Sequence, residues 1–187
     1  GGAKIVSAEG FGIFCELSFD NGWRLCFNDG VNMRLTDGGS VPKDYQLAIL
    51  LDNGQALVCT VAMYGGIILH DGGYDNAYYL SSRRALSPFS PEFPAHFYRV
   101  LEACKPTLSA KAFLATEQRF PGVGNGVLQD ILLEARVHPK RKLSALCGAD
   151  RERLLTSTVS VLREMTDCGG RDTEKDLFGA PCGYRTR

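Results

Sequence analysis

The chain has 187 residues, of which 21 are basic and 21 acidic, so its formal net charge is zero, and 44% of its residues are hydrophobic. That length allows one ordinary domain or two small ones, and the apolar fraction is high enough to form a core, which excludes a disordered or collagen-like chain. No apolar run approaches the roughly 20 residues that span a bilayer, and no basic-then-apolar leader opens the sequence, so we expect neither a membrane protein nor a secreted one.

The first part of the chain has the pattern of a β-structure. Five short apolar or alternating runs are predicted strands: Ala3–Ala8, Gly12–Phe19, Trp23–Phe27, Gln46–Leu51 and Ala56–Met63. Turn sequences separate the runs, and the Asn and Gly in them accept positive φ angles: Asp20-Asn21-Gly22, Asn28-Asp29-Gly30, Asp37-Gly38-Gly39 and Asp52-Asn53-Gly54. Strands at this spacing predict an antiparallel sandwich or a barrel.

The pattern changes at the Pro- and Ser-rich stretch 87–91, which we interpret as a linker. Helical spacing of apolar residues follows, and it predicts four helices: Pro91–Cys104, Leu108–Glu117 with Ser109 as a cap, Asn125–Ala135, and Asp150–Met165 as the longest. The tail from Arg171 to Arg187 has little periodicity. The predicted fold class is therefore α+β.

Charge and cysteines give weaker indications. Residues 1–87 carry 6 Lys/Arg and 9 Asp/Glu, a net of −3, whereas residues 88–187 carry 15 and 12, a net of +3. A basic second half permits phosphate binding, although chance can produce a difference of this size. The seven cysteines include no C-x-x-C pair, so we expect reduced thiols, with neither a disulfide framework nor a zinc site.

The segment Pro121-Gly122-Val123-Gly124-Asn125 lies between two predicted helices and opens the second. Its glycines let the backbone turn tightly and come close to another backbone. The unpaired N–H groups of a first helical turn attract anions, and we expect Asn125 to be an N-cap whose amide can also donate to a phosphate oxygen. Taken alone, the pattern fits an ordinary loop-to-helix turn as well as a phosphate-binding turn, which we call the phosphate grip.

The surrounding sequence is more specific. The run LSAKAFLATEQRFPGVGNGVLQDILLEARVHPKRKLSAL, residues 108–146, resembles the helix–two-turn–helix segment of the formamidopyrimidine-DNA glycosylase / endonuclease VIII family. The resemblance rests on GVGN, on an acid five residues after the Asn (Asp130), and on His138-Pro139. It implies that a phosphate of damaged DNA is gripped by Gly122, Gly124 and Asn125. It also implies that a basic run lies near the DNA backbone, unless that run is only a solvated surface: Lys140, Arg141 and Lys142.

Two further stretches resemble the family more weakly. CGGRDTEKDLFGAPCGY, residues 168–184, is similar to a loop that closes over an extruded base in some members, with four matching positions: Gly169, Gly170, Lys175 and Asp176. TVAMYGGIIL, residues 60–69, is similar to a strand-loop-strand whose aromatic residue fills the gap left by a flipped nucleotide. Tyr64 and Met63 would form that wedge, although Met63 replaces a usual Arg and Tyr64 could be a plain sandwich residue. Residues 4–35 resemble two central strands of the family's N-terminal sandwich.

The family's chemistry begins at an N-terminal proline amine, which forms a Schiff base beside a glutamate that moves protons. This chain opens Gly1-Gly2-Ala3-Lys4, so we assign no catalytic residue in it and do not expect Gly1 to act as the nucleophile. The family's hairpin lysine also has no equivalent near Gly12. We therefore expect a catalytically silent fragment of a longer glycosylase rather than a natural member that has lost catalysis. We expect no metal in the chain, and zinc only in a finger beyond Arg187 if the longer protein has one.

The resemblance predicts three parts: a partial β-sandwich at 1–88, a helix–two-turn–helix DNA-binding domain at 89–168, and a base-capping loop leading to the zinc-finger region at 169–187. It implies a DNA glycosylase/AP lyase of base-excision repair, of bacterial type, monomeric, cytoplasmic and nucleoid-associated. Its partner would be double-stranded DNA that contains a damaged base or an abasic site. The alternative is a naturally non-catalytic nucleic-acid-binding module. The sequence leaves the preferred base, oxidised purine or pyrimidine, open.

Overall fold

The computed structural model of the protein describes residues 2–187, so the expectation about the Gly1 amine lies outside the described residues. The chain divides into two compact units. The first runs to Ser82 and also includes Lys175–Pro181, and the second consists of Arg83–Glu174 and Cys182–Arg187. The functional division at residues 88 and 168 stays a prediction. No helix within residues 2–187 combines the length and the apolar character that a membrane span requires.

The first unit contains seven strands in two antiparallel sheets. The strands are β1 (Ile5–Phe11), β2 (Phe14–Phe19), β3 (Arg24–Phe27), β4 (Val31–Asp37), β5 (Leu47–Leu50), β6 (Gln55–Val61) and β7 (Ile67–His70). One sheet has the order β1-β2-β3-β7 and the other the order β4-β6-β5. Both sheets contribute to one buried apolar cluster of Leu25, Phe27, Leu57 and Cys59, so they pack face to face as a sandwich. With the helices of the second unit, this confirms the predicted α+β class.

The five predicted strands are present, and three of the four turns have the predicted conformation. Gly22, Gly30 and Gly54 have φ angles of 85°, 94° and 84°, which a side chain would make costly. The fourth turn instead forms a short 3-10 helix, Gly38–Ser40. The sequence pattern did not predict β4, because its residues are partly exposed on both faces and give no clear alternation. It also did not predict α1 (Ala77–Arg84), because this helix buries only two residues and so has no apolar face with helical spacing.

Four further α-helices form the second unit. They are α2 (Phe93–Ala103), α3 (Ala110–Ala115), α4 (Asn125–Glu134) and α5 (Gly148–Asp167). All four were predicted, with ends that differ by a few residues. Ser109 caps α3 as expected, because its hydroxyl accepts a hydrogen bond from the Ala112 N–H at 3.2 Å. α5 begins with a capping box between Cys147 and Asp150 that the sequence did not suggest.

Candidate nucleic-acid interface

The turn before α4, residues 120–124, is anchored on its buried side by aromatic packing. The Phe120 ring is 7% exposed and lies 5.4 Å from the Phe97 ring and 5.3 Å from the Phe113 ring, measured between centroids. The Val123 N–H donates to the Phe120 carbonyl at 3.0 Å, and Gly122 has a φ of 92°. This buried anchor fixes the turn while its outer side remains at the surface.

The backbone at the start of α4 presents open donors. Gly124 is the N-cap, and its carbonyl accepts from the N–H groups of Val127 and Leu128. Within residues 2–187, the N–H groups of Asn125 and Gly126 make no hydrogen bond. Two donors at the positive end of a helix form a site that attracts anions.

The expectation that Asn125 is the N-cap is wrong. The helix begins one residue earlier than that prediction requires, so Asn125 is its first residue and Gly124 occupies the cap position in an extended conformation. Asn125 is exposed, and its side-chain amide makes no hydrogen bond to residues 2–187. The amide is therefore available to an external acceptor beside the open N–H groups.

Arg171 lies directly over this first turn, which the sequence did not predict. A Cβ atom built on Gly126 would lie 1.8 Å from Arg171 Nη1, so the guanidinium occupies the space that the glycine leaves. Arg171 pairs with Glu174 through Nη2 and Oε1 at 2.7 Å. Partial burial opposes ionisation of Glu174, but the hydrogen bonds and charge of Arg171 outweigh it and lower the pKa of Glu174. The loop positions Gly169 and Gly170, with φ of 73° and 123°, immediately precede this arginine.

A buried contact fixes the C-terminal segment to the middle of α4. Asp130 is 2% exposed, and its carboxylate accepts from the Tyr184 hydroxyl at 3.0 Å and from the Arg187 N–H at 3.2 Å. Burial, together with the hydrogen bond to Asp130, raises the pKa of Tyr184 to about 12. Asp130, the acid five residues after Asn125 in the sequence motif, is therefore buried in the second unit and faces the C-terminal segment.

The basic run contains side chains in two different environments. Lys140 and Lys142 are both exposed, and Lys142 is the residue before a short 3-10 helix. Arg141 instead pairs with the buried Asp150, with 2.8 Å between Nη2 and Oδ2, and it also donates to the Ala145 carbonyl. Hydrogen bonds from Cys147, with Arg141 and a second arginine nearby, hold the pKa of Asp150 below its usual value.

In the first unit, the β6–β7 loop exposes the two residues that the wedge prediction named. Met63 is 94% exposed with a φ of 45°, and Tyr64 is 90% exposed. Asn28 shapes this loop, because its side chain accepts from the Gly66 N–H and donates to the Tyr64 carbonyl. The two side chains extend from a defined loop and do not pack into the sandwich.

A buried polar network in the first unit was also not predicted. The Glu16 carboxylate is 1% exposed and accepts from the Tyr79 hydroxyl at 2.6 Å. His70 Nε2 lies 3.2 Å from the same oxygen, while His70 Nδ1 accepts from the Gly72 N–H, which places the ring proton on Nε2. The network joins β2 to β7 and α1, because His70 and Tyr79 lie 54 and 63 positions after Glu16 in the sequence.

The remaining predicted loop positions are at the surface. Lys175 and Asp176 are exposed, and the Asp176 carboxylate organises a tight turn within Lys175–Pro181.

All seven cysteines are free thiols. Within the described part of the chain, no group of three or more His, Cys, Asp or Glu side chains could hold a metal ion.

These observations define a class of protein: a two-sheet sandwich followed by a helical unit whose glycine turn exposes anion-binding donors. No family model matches the chain. It is 31% identical over 156 residues to the formamidopyrimidine-DNA glycosylase of Geobacter sulfurreducens, an alignment that covers 81% of this chain and 56% of that protein. The corresponding glycosylase of Thermus thermophilus is 30% identical over 99 residues, or 51% of this chain and 36% of that protein. The chain thus spans about half the length of the first of these relatives.

Solved structures give the same fold. The MutM (Fpg) protein from Thermus thermophilus matches 97% of this chain and 69% of that chain, with a TM-score of 0.76 and 23% identity. A complex of the Lactococcus lactis Fpg with abasic-site DNA matches 98% of this chain and 68% of that chain, with a TM-score of 0.79 and 18% identity. Together with the sequence relatives, this confirms the predicted resemblance to the formamidopyrimidine-DNA glycosylase / endonuclease VIII family.

Proposed function

We propose that this chain is the damaged-DNA-binding part of a base-excision-repair glycosylase/AP lyase of the formamidopyrimidine-DNA glycosylase type. Its partner is double-stranded DNA that contains a damaged base or an abasic site. Support comes from the sequence relatives, which carry that enzyme name, and from a structural neighbour in complex with abasic-site DNA. The same relatives are bacterial, which supports a place at the bacterial nucleoid.

The observation that carries the proposal is the open first turn of α4. The N–H groups of Asn125 and Gly126 and the exposed amide of Asn125 are free of partners within residues 2–187 and lie together in that turn. Such donors suit a phosphate oxygen and read no base sequence. Gly122 and Gly124 provide the backbone shape that brings these donors to the surface, so we assign the phosphate grip to Gly122, Gly124 and Asn125.

The basic run adds charge to this binding. We assign contacts with the DNA backbone to Lys140 and Lys142, because neither has an ion-pair partner within residues 2–187. The ion pair of Arg141 with Asp150 supports a different role for that residue, namely to hold the run in place. Each backbone contact releases counterions, so the affinity should fall as the salt concentration rises.

Two surface features suit an extruded nucleotide. The exposed Met63 and Tyr64 are suited to fill a gap in the base stack, since apolar side chains inserted between base steps stabilise a kinked duplex. The segment that contains Gly169, Gly170, Lys175 and Asp176 is suited to cover the base outside the stack. Extrusion is needed because an enzyme cannot reach the target atoms inside a duplex. In functional terms, residues 1–88, 89–168 and 169–187 would serve as the partial sandwich, the grip and the capping segment.

Catalysis belongs to the longer protein in this proposal. The chain matches only 56% of the Geobacter sulfurreducens glycosylase, so we assign the catalytic amine to a part of the longer protein outside that match. A terminal amine, which titrates at roughly 7.7–8.0, is suited to attack the sugar at neutral pH. Zinc, if the longer protein has it, would be held by a finger outside these residues.

Borohydride trapping on abasic-site DNA tests this division. The longer protein should form a covalent adduct after reduction, and the 187-residue chain should bind the same DNA without forming one. An adduct with the chain itself would contradict the proposal that it is silent. Absence of any DNA binding by the chain would contradict the binding function.

A naturally non-catalytic nucleic-acid-binding module is the second candidate. Met63 at the position of the family's usual Arg, and Gly12 near the position of its hairpin lysine, favour this candidate. Failure of the longer protein to form an adduct, with DNA binding retained, would select it.

A further inference from the structure

The segment Lys175–Pro181, called the closing loop below, is a tight turn built around one carboxylate. Asp176 Oδ1 accepts from the N–H of Phe178 at 2.9 Å and from the N–H of Ala180 at 2.8 Å. The backbone of Asp176 also bonds to Ala180 and Gly179, at 2.9 and 3.1 Å. The turn therefore has a defined shape of its own.

The closing loop is bonded to the outer edge of β4. The Leu35 N–H donates to the Leu177 carbonyl at 2.8 Å, and Arg34 Nη1 donates to the Asp176 carbonyl at 3.2 Å. β4 is the terminal strand of the order β4-β6-β5, so its other edge pairs with β6 and its outer edge has no strand partner among residues 2–187. An open strand edge is a row of unsatisfied donors and acceptors, and the loop occupies part of it.

We propose that the outer edge of β4 is a docking site that holds the closing loop in one ordered conformation, with Arg34 and Asp176 as positioning residues. Asp176 shapes the turn, and Arg34 and the Leu35 N–H fix it to the strand. Docked in this way, the loop presents the Phe178 ring, 77% exposed, and the Leu177 side chain, 42% exposed.

The consequence for binding rests on the proposed function. Ordering a flexible backbone costs conformational entropy, so a loop that is ordered before DNA arrives avoids most of that cost when it covers a base. Release of the loop from β4 should therefore weaken binding to DNA with an extruded nucleotide and leave binding to intact duplex unchanged.

Amide hydrogen exchange tests the docking directly. In the unaltered chain, the Leu35 amide should exchange at least about ten-fold more slowly than an open amide, although it lies on the outer edge. Arg34→Ala and Asp176→Ala should each remove most of that protection. Asp176→Asn should retain it, because the Asn Oδ1 can accept the same two hydrogen bonds. The Leu57 amide of β6 reports whether the sandwich itself stays folded.

Lys43→Ala is the matched control, since Lys43 is an exposed basic residue of the same unit and has no hydrogen-bond or ion-pair partner within residues 2–187. It should leave the exchange of Leu35 unchanged. An unprotected Leu35 amide in the unaltered chain, or full protection in both alanine variants, would overturn the docking proposal.

The ratio of affinities for abasic-site and intact duplex tests the consequence. Arg34→Ala should lower that ratio several-fold, whereas Lys43→Ala should leave it unchanged. An unchanged ratio together with lost Leu35 protection would contradict the role of the loop in capturing a base and leave the docking on β4 established. The two measurements therefore separate failure of the docking from failure of the proposed function.

Discussion

The Tyr184 hydroxyl donates a hydrogen bond to the buried carboxylate of Asp130, 3.0 Å away and 54 residues earlier in the chain. Both residues belong to the helical unit, and Asp130 lies on α4, the helix whose first turn carries the proposed phosphate grip. The contact therefore fixes the C-terminal segment, which follows the closing loop, to the grip helix.

Tyr184→Phe should lower the free energy of unfolding by about 1–3 kcal/mol, because the substitution removes a donor from a buried carboxylate. Urea denaturation measures the change. Tyr45→Phe is the control, since Tyr45 is 46% exposed and its hydroxyl has no partner within residues 2–187, so its loss should have little effect. Equal stability of the Tyr184→Phe variant and the unaltered chain would show that the hydrogen bond contributes nothing.

The same tyrosine predicts a loss of stability at high pH. Its pKa is raised from an ordinary value near 10 to about 12 in the folded chain, so the unfolded chain loses this proton first. The stabilisation is complete below pH 10 and disappears as the pH rises through about 12, and it amounts to at most about 2–3 kcal/mol. The difference in unfolding free energy between the unaltered chain and Tyr184→Phe should therefore shrink over that range. A constant difference would contradict the shift.

Asn125→Ala should weaken binding to abasic-site DNA by about ten- to a hundred-fold, because a hydrogen bond to a charged group is typically worth about 1.5–3 kcal/mol. Its unfolding free energy should change by less than about 0.5 kcal/mol, since the side chain is exposed and caps nothing. Fluorescence anisotropy at fixed salt and urea denaturation give the two values. A large loss of stability with unchanged DNA affinity would mean that Asn125 is a structural residue.

The two glycines of the grip should respond differently to alanine. Gly122 has a φ of 92°, so Gly122→Ala places a side chain in the left-handed region and should cost about 1–2 kcal/mol of stability. Gly124 has a φ of −101° and open space within 4 Å of the position that a Cβ would take, so Gly124→Ala should fold normally. Thermal unfolding of both variants checks this, and equal destabilisation would contradict the assigned conformations.

The sequence predicted the regular elements better than the contacts between them. Periodicity located four helices and the Ser109 cap, because these depend on residues within a few positions of one another. It placed the cap of α4 at Asn125 instead of Gly124, since a glycine cap in extended backbone has no side-chain signature. β4 was missed because its exposure does not alternate.

Long-range partners could not be predicted from the sequence at all. Four contacts join residues that are 45 or more positions apart in the sequence. The Arg171 guanidinium lies over Gly126, and Tyr184 donates to Asp130. His70 and Tyr79 both contact the Glu16 carboxylate. Nothing local in the sequence distinguishes these side chains from solvated ones. The charge run 140–142 illustrates the same limit, because only the structure separates Arg141, which is paired, from its two lysine neighbours.

The most direct test of the central claim is the affinity of the 187-residue chain for an abasic-site duplex and for an intact duplex of the same sequence, measured over a range of salt concentrations. We predict tighter binding to the abasic-site duplex, with an affinity for both that falls steadily as salt rises. Equal affinity for the two duplexes, or no binding at low salt, would contradict the claim that this chain is the damaged-DNA-binding part of a glycosylase.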